Sequence, residues 1–85
     1  MKSIKVKLRD PLELPDGVVK EVEMRRPTVG DLMDYPLDAE ASPQTVVPYL
    51  AHLCGMNIED FRQISQRDYV TLVTEVARFQ GDGKD

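Results

Sequence analysis

The sequence predicts a single small α+β domain, an N-terminal β-hairpin packed against three to four short helices. Three observations predict it. Apolar and charged residues alternate over residues 3–9 and 18–25, the period of a strand with one buried face. Beyond residue 45 the apolar residues recur at spacings of three and four, the period of helices packed on one side. The chain has 85 residues, 41% apolar and 31% charged, which suits one globular domain rather than two, and disorder throughout is not expected.

In the first strand Ile4, Val6 and Leu8 alternate with Lys5, Lys7 and Arg9, and in the second Val22 and Met24 alternate with Glu21, Glu23 and Arg25. Pro15-Asp16-Gly17 lies between them, and Asp-Gly is a strong hairpin signal because glycine accepts a positive φ. The hairpin sets Lys5, Lys7 and Arg9 near Glu21 and Glu23, where each cross-strand pair contributes a few tenths of a kcal/mol, up to about 1. Pro11 and Pro15 have no N–H to donate, so the segment between them is expected to widen the loop or run along a sheet edge.

Pro27 ends the strand, and Thr28 with Asp31 forms a capping-box pattern that opens a short helix from Val29 to Asp34 or Tyr35. Pro36 stops it, and residues 36–45 read as a mobile loop. The next helix is expected over Val46–Cys54, with Thr45 as its cap and Pro48 in its first turn. A start at Ser42-Pro43 is the alternative, and it would place Pro48 deeper as a kink. Gly55 ends this helix. Asn57 with Asp60 caps a helix over Ile58–Ile64, and Ser65 with Asp68 caps the last, over Gln66–Gln80. Tyr69, Leu72, Val73, Val76 and Phe79 form its apolar stripe. The domain is expected to fill residues 1–81, leaving 82–85 as a disordered polar tail.

Charge narrows the function classes. The net charge of −4 hides a gradient: residues 1–27 sum to +2, whereas residues 28–56 hold four carboxylates and no Lys or Arg. An acidic chain without a basic stripe is a poor nucleic-acid binder. No apolar run approaches the ~20 residues of a membrane-spanning helix, and Met1–Lys7 lacks the continuous apolar stretch of a secretory leader. The one cysteine, Cys54, cannot form an internal disulfide, which fits a reducing cytoplasm, and one cysteine with one histidine cannot build a Cys/His zinc site.

The remaining chemistry is sparse. His52 and Cys54 are two apart on a helix and so point about 200° apart, which reads as a surface histidine and a core-facing cysteine. Asp31 and Asp34 could offer two carboxylates to a cation, but a hard-metal site wants more oxygens, and capping plus solubility accounts for both. The glycines are scattered, so there is no phosphate loop, and no serine lies in the Asp-Ser-Leu context of an acyl carrier. No catalytic residues, cofactor or metal are expected. The corner Leu50–Ile64 has the layout of a helix-turn-helix, which keeps a small DNA-binding regulator as the alternative reading, although Glu59 and Asp60 would face DNA with the wrong sign.

The order of these pieces resembles a known family. A lysine-bearing strand and an Asp-Gly turn lead to Glu23-Met24-Arg25-Arg26-Pro27-Thr28-Val29-Gly30-Asp31-Leu32, then to Leu50–Met56, Ile58–Phe61, and a last helix opening at Asp68-Tyr69. This is similar to the small tail assembly chaperones of contractile-tailed bacteriophages and Mu-like prophages, over about residues 3–80. The resemblance implies a non-catalytic protein of the bacterial host cytoplasm. It would bind the long helical tape-measure protein and keep it soluble until tube subunits polymerise around it. It would be absent from the mature virion, and a longer frameshifted product is common in such phages. The tail tube protein is a second candidate partner, and self-association is expected for so small a chain, whereas nucleic acid and membrane are not expected partners. The contact residues are expected to be Tyr69, Leu72, Val76 and Phe79 of the last helix, helped by Leu32 and Tyr35.

Overall fold

The structure, a computed structural model, describes residues 3–81, with Gln80 and Gly81 described by their backbone alone. The predicted tail at 82–85 lies outside the described residues. An antiparallel hairpin of β1 (Ser3–Leu14) and β2 (Gly17–Arg25) is followed by α1 (Val29–Asp34), α2 (Pro43–Cys54), α3 (Ile58–Phe61) and α4 (Gln66–Gly81). The α+β class is as the sequence predicts. Helix α2 packs on β2, α4 packs on β1, and α1 and α3 both lean on α2.

The hairpin register places Ile4 opposite Met24 and Val6 opposite Val22, with Lys5 across from Glu23 and Lys7 across from Glu21. The apolar pairs face the helices, and the charged pairs face outward. Gly17 takes φ +144°, which supplies the left-handed backbone the tight turn requires. The core joins Val6, Leu8, Leu12, Val22 and Met24 to Val46, Tyr49, Leu50 and Leu53 of α2, Phe61 of α3, and Leu72 and Val76 of α4. Each fully buried Leu, Met or Phe contributes roughly 1.5–3 kcal/mol.

β1 runs on past Pro11, where the sequence suggests a loop. Between Lys7, paired with Glu21, and Leu12, paired with Val19, β1 has four residues opposite Lys20 alone, an enlarged bulge. Two N–H groups freed there find a distant acceptor. The Arg9 N–H donates to Asp68 Oδ1 at 2.8 Å, and the Asp10 N–H to Oδ2 at 3.0 Å. Arg9 therefore departs from the expected row opposite Glu21 and Glu23. Pro11 leaves no third donor stranded. Asp68 is 1% exposed, and its carboxylate also accepts from the Ser65 hydroxyl. Ser65 Oγ in turn accepts from the Asp68 N–H, so the expected cap at Ser65 is present, and its acid reaches out to fasten α4 onto β1.

Two helix boundaries differ from expectation by three residues each. Helix α2 starts at Pro43, the alternative reading, so Pro48 lies inside it. Thr45 is not its cap. Asp38 instead gathers the approach, accepting from the Ser42 N–H (2.8 Å), the Ser42 hydroxyl (2.6 Å) and the Thr45 hydroxyl (3.1 Å). This turn holds Ala41 at φ +51°, a strained conformation for a residue with a side chain. Of residues 36–45, which the sequence suggests are a mobile loop, 38–45 are thus a hydrogen-bonded turn and the first turn of α2. Helix α3 ends at Phe61 rather than Ile64, with Asn57 Oδ1 accepting from the Glu59 N–H and the chain closing into turns at Gln63 and Ile64.

Two substitutions check this packing. Asp68→Ala removes the acceptor for two strand N–H groups and is expected to cost about 2–3 kcal/mol in urea unfolding, the range for buried donors losing a charged partner. Leu72→Ala, which empties a fully buried site, is expected to cost about 2–5 kcal/mol.

Candidate functional site

The end of β2, the capping box and the last turn of α2 converge on one carboxylate. Asp31 is 4% exposed. Arg25 grips it with both guanidinium nitrogens, Nη1 to Oδ2 at 2.8 Å and Nη2 to Oδ1 at 2.7 Å, a bidentate pair. The Thr28 N–H donates to Oδ2 at 2.8 Å, and the Asp31 N–H returns to Thr28 Oγ1, which completes the predicted capping box. His52 Nε2 lies 2.9 Å from Asp31 Oδ1 and 2.9 Å from Arg25 Nη2. Depending on its tautomer, this nitrogen donates to the carboxylate or accepts from the guanidinium, never both at once. The imidazole also packs against the Tyr35 ring, with centroids 4.6 Å apart.

The Arg25 guanidinium holds the Asp31 carboxyl far below the usual carboxylate range, burial opposes it, and the Thr28 N–H, His52 and the Thr28 hydroxyl add to the lowering. Asp68 is also lowered: burial pushes it up, but the Arg9 and Asp10 N–H groups, Ser65 and Arg67 outweigh that. His52 is not the surface residue that the sequence suggests: it belongs to this network. Cys54 is half-buried, and burial pushes its thiol up to about 11. Asp31 and Asp34 do not converge on a cation, since Asp31 is turned to Arg25 while Asp34 is exposed.

The network fixes the rotation of α1. With Asp31 inward, Val29, Leu32 and Met33 are 74%, 42% and 76% exposed. The second apolar surface is a groove of about 390 Å³ between α2, α3 and α4, lined by Pro43, Val47, Phe61, Arg62, Ile64, Gln66, Tyr69 and Val70.

The six expected contact residues therefore part company. Leu32 lies exposed on α1, and Tyr35, its C-cap residue, is half-buried against His52. Tyr69 lines the groove, and burial raises its hydroxyl pKa. Leu72 and Val76 are in the core and present no surface, and Phe79 is half-buried near the far end of α4. Val29, Met33, Ile58 and Val70 are exposed apolar residues that sequence reasoning passed over. For Val29 and Met33 the signal is the i, i+3, i+4 run with Leu32, beside an acid that serves the cap.

A family profile described as "Phage tail assembly chaperone proteins, E, or 41 or 14" matches residues 5–81. The chain belongs to this family. The match takes in the hairpin and all four helices, including both buried carboxylates. No curated protein matches the chain significantly, and no solved structure does. For a tail assembly chaperone the DNA-reading alternative has little to stand on, because α3 is a single turn bearing Glu59 and Asp60. That supplies neither the length nor the charge of a recognition helix. Among the described residues no three of His, Cys, Asp or Glu converge to hold a metal ion, and no helix is long and apolar enough to cross a membrane.

The depressed carboxylates set an acid limb. Their stabilisation is fully present above the ordinary aspartate pKa, near 4, and is lost as pH falls from there through the lower folded values. Asp31→Asn is expected to cost about 2 kcal/mol at neutral pH, discounted from buried-pair values because Arg25 is half-solvated, and to flatten the loss of stability below pH ~4. Denaturant titrations from neutral pH to acid read both effects.

Proposed function

We propose that this chaperone binds the tape-measure protein of its phage during tail assembly. It keeps that long helix soluble until tube subunits polymerise around it, acts without catalysis in the host cytoplasm, and is left out of the finished particle. The observation that carries the reading is the apolar groove between α2, α3 and α4 in a chain of this family. Val47, Ile64, Tyr69 and Val70 offer a helix a row of apolar and aromatic contacts over a floor closed by the buried Phe61, the helix-in-groove mode of recognition. A tape-measure helix exposes apolar turns along its length before the tube forms. Many weak groove contacts along one chain gain by multivalency, and the net charge of −4 keeps the complex soluble.

Of the contact residues expected from the sequence, Tyr69 belongs to this groove. Leu72 and Val76 support it from below by holding α4 on the hairpin. Co-expression with the tape-measure protein, followed by fractionation and pull-down, tests the reading. The wild-type chain is expected to move the partner into the soluble fraction and co-purify with it. Val70→Glu, at a site 61% exposed, is expected to keep the fold and weaken capture about ten-fold, or ~1.4 kcal/mol. An insoluble, unbound partner beside folded wild-type chain would sink the proposal.

A further inference from the structure

The first helix is turned inside out. In a surface helix the apolar stripe faces the core and the acids face water. Here α1 buries Asp31 and exposes Val29, Leu32 and Met33, spaced i, i+3, i+4 on one side. A helix of six residues has no stability of its own. Its orientation is therefore imposed by the Asp31 contacts to Arg25, Thr28 and His52, and the apolar strip is presented preformed. Tyr35 leads from α1 into a shallow hollow of about 320 Å³ that ends at Met56 and Ile58, the latter 41% exposed.

Charge says what covers this strip. Residues 28–61 contain Asp31, Asp34, Asp38, Glu40, Glu59 and Asp60 and no Lys or Arg. Asp31 is neutralised by Arg25, which leaves Asp34 on α1 itself and Glu59 and Asp60 beside Ile58. The α4 groove differs, since Arg62 lines it. A second copy of the chain would bring acid against acid at the strip, so the complement is an apolar stripe with basic flanks. We propose that the outward face of α1, with Ile58, docks an amphipathic helix whose apolar stripe is bordered by lysine or arginine. The proposal rests on the tape-measure reading for the source of that helix. α3 carries Ile58 on one surface and closes the floor of the other with the buried Phe61, so the two surfaces adjoin and successive stretches of one long helix can engage both.

Two synthetic helical peptides with the same leucine stripe, one flanked by lysines and one by glutamates, test the face by NMR titration of the isotope-labelled chain. The lysine peptide is expected to bind about ten-fold or more tighter, to shift amides at Val29–Met33 and Met56–Ile58, and to weaken as salt rises. Met33→Glu, at a solvent-facing position, is expected to abolish that binding, and Asp34→Lys to erase the preference between peptides. Equal binding of both peptides, no binding of the lysine peptide, shifts confined to the Tyr69 groove, or unchanged binding by Met33→Glu would each overturn it. So would a self-associated chain by light scattering that Met33→Glu turns monomeric. Co-expression separates this failure from that of the tape-measure reading. If wild type and Met33→Glu solubilise the tape-measure protein equally, only the α1 face falls. If wild type fails while the lysine peptide docks on α1, the tape-measure reading falls and the face stands.

Discussion

A carboxylate removed from water must be met by partners, and in this chaperone the way Asp31 is met determines how three elements sit. Its partners come from the end of β2, from the turn before α1 and from the last turn of α2. A buried ion pair adds little net stability compared with an apolar pair of the same shape, because desolvation offsets most of the attraction. What it adds is direction. An apolar contact tolerates rotation of a one-and-a-half-turn helix, whereas a bidentate guanidinium with a capping N–H tolerates almost none. Locking Asp31 inward is the same act as turning Val29, Leu32 and Met33 outward.

Asp68 repeats the device at α4. Both acids stand at the third position of a helix, where a capping box places an acceptor, and both extend beyond the helix they cap. One ties a helix to the strand before it, and the other ties a helix to a strand 59 residues earlier. A chain of 85 residues buries a smaller share of its surface than a larger domain does. Two polar staples at the helix starts fix the arrangement that a thin core would leave loose.

The parts legible in the sequence are those set by local rules. The hairpin followed from period-two alternation and Asp16-Gly17, α1 from Thr28 and Asp31, and α4 from its stripe at Tyr69, Leu72 and Val76. The parts that were not legible depend on partners distant in the chain. β1 continues past Pro11 because Asp68 accepts the N–H groups that the ladder abandons. α2 begins early because Asp38 organises Ser42 just before Pro43 and Thr45 just after it. A stripe also reads alike whether it faces the core or solvent. That symmetry placed Leu72 and Val76 among contact residues although they are core, and it hid the exposed strip on α1 behind its capping acid.

The bulge in β1 bears on a hazard common to every protein held in an open sheet. A two-stranded hairpin leaves an outer row of N–H and C=O groups on each strand, a template for a foreign strand or for another molecule of the same kind. On β1 that row is regular only up to Lys7. Beyond it the ladder breaks, Pro11 offers no donor, and the N–H groups of Arg9 and Asp10 are already taken by Asp68. Strand-by-strand addition cannot propagate through such an interruption. The chaperone's own first strand is thereby a poor template for aggregation.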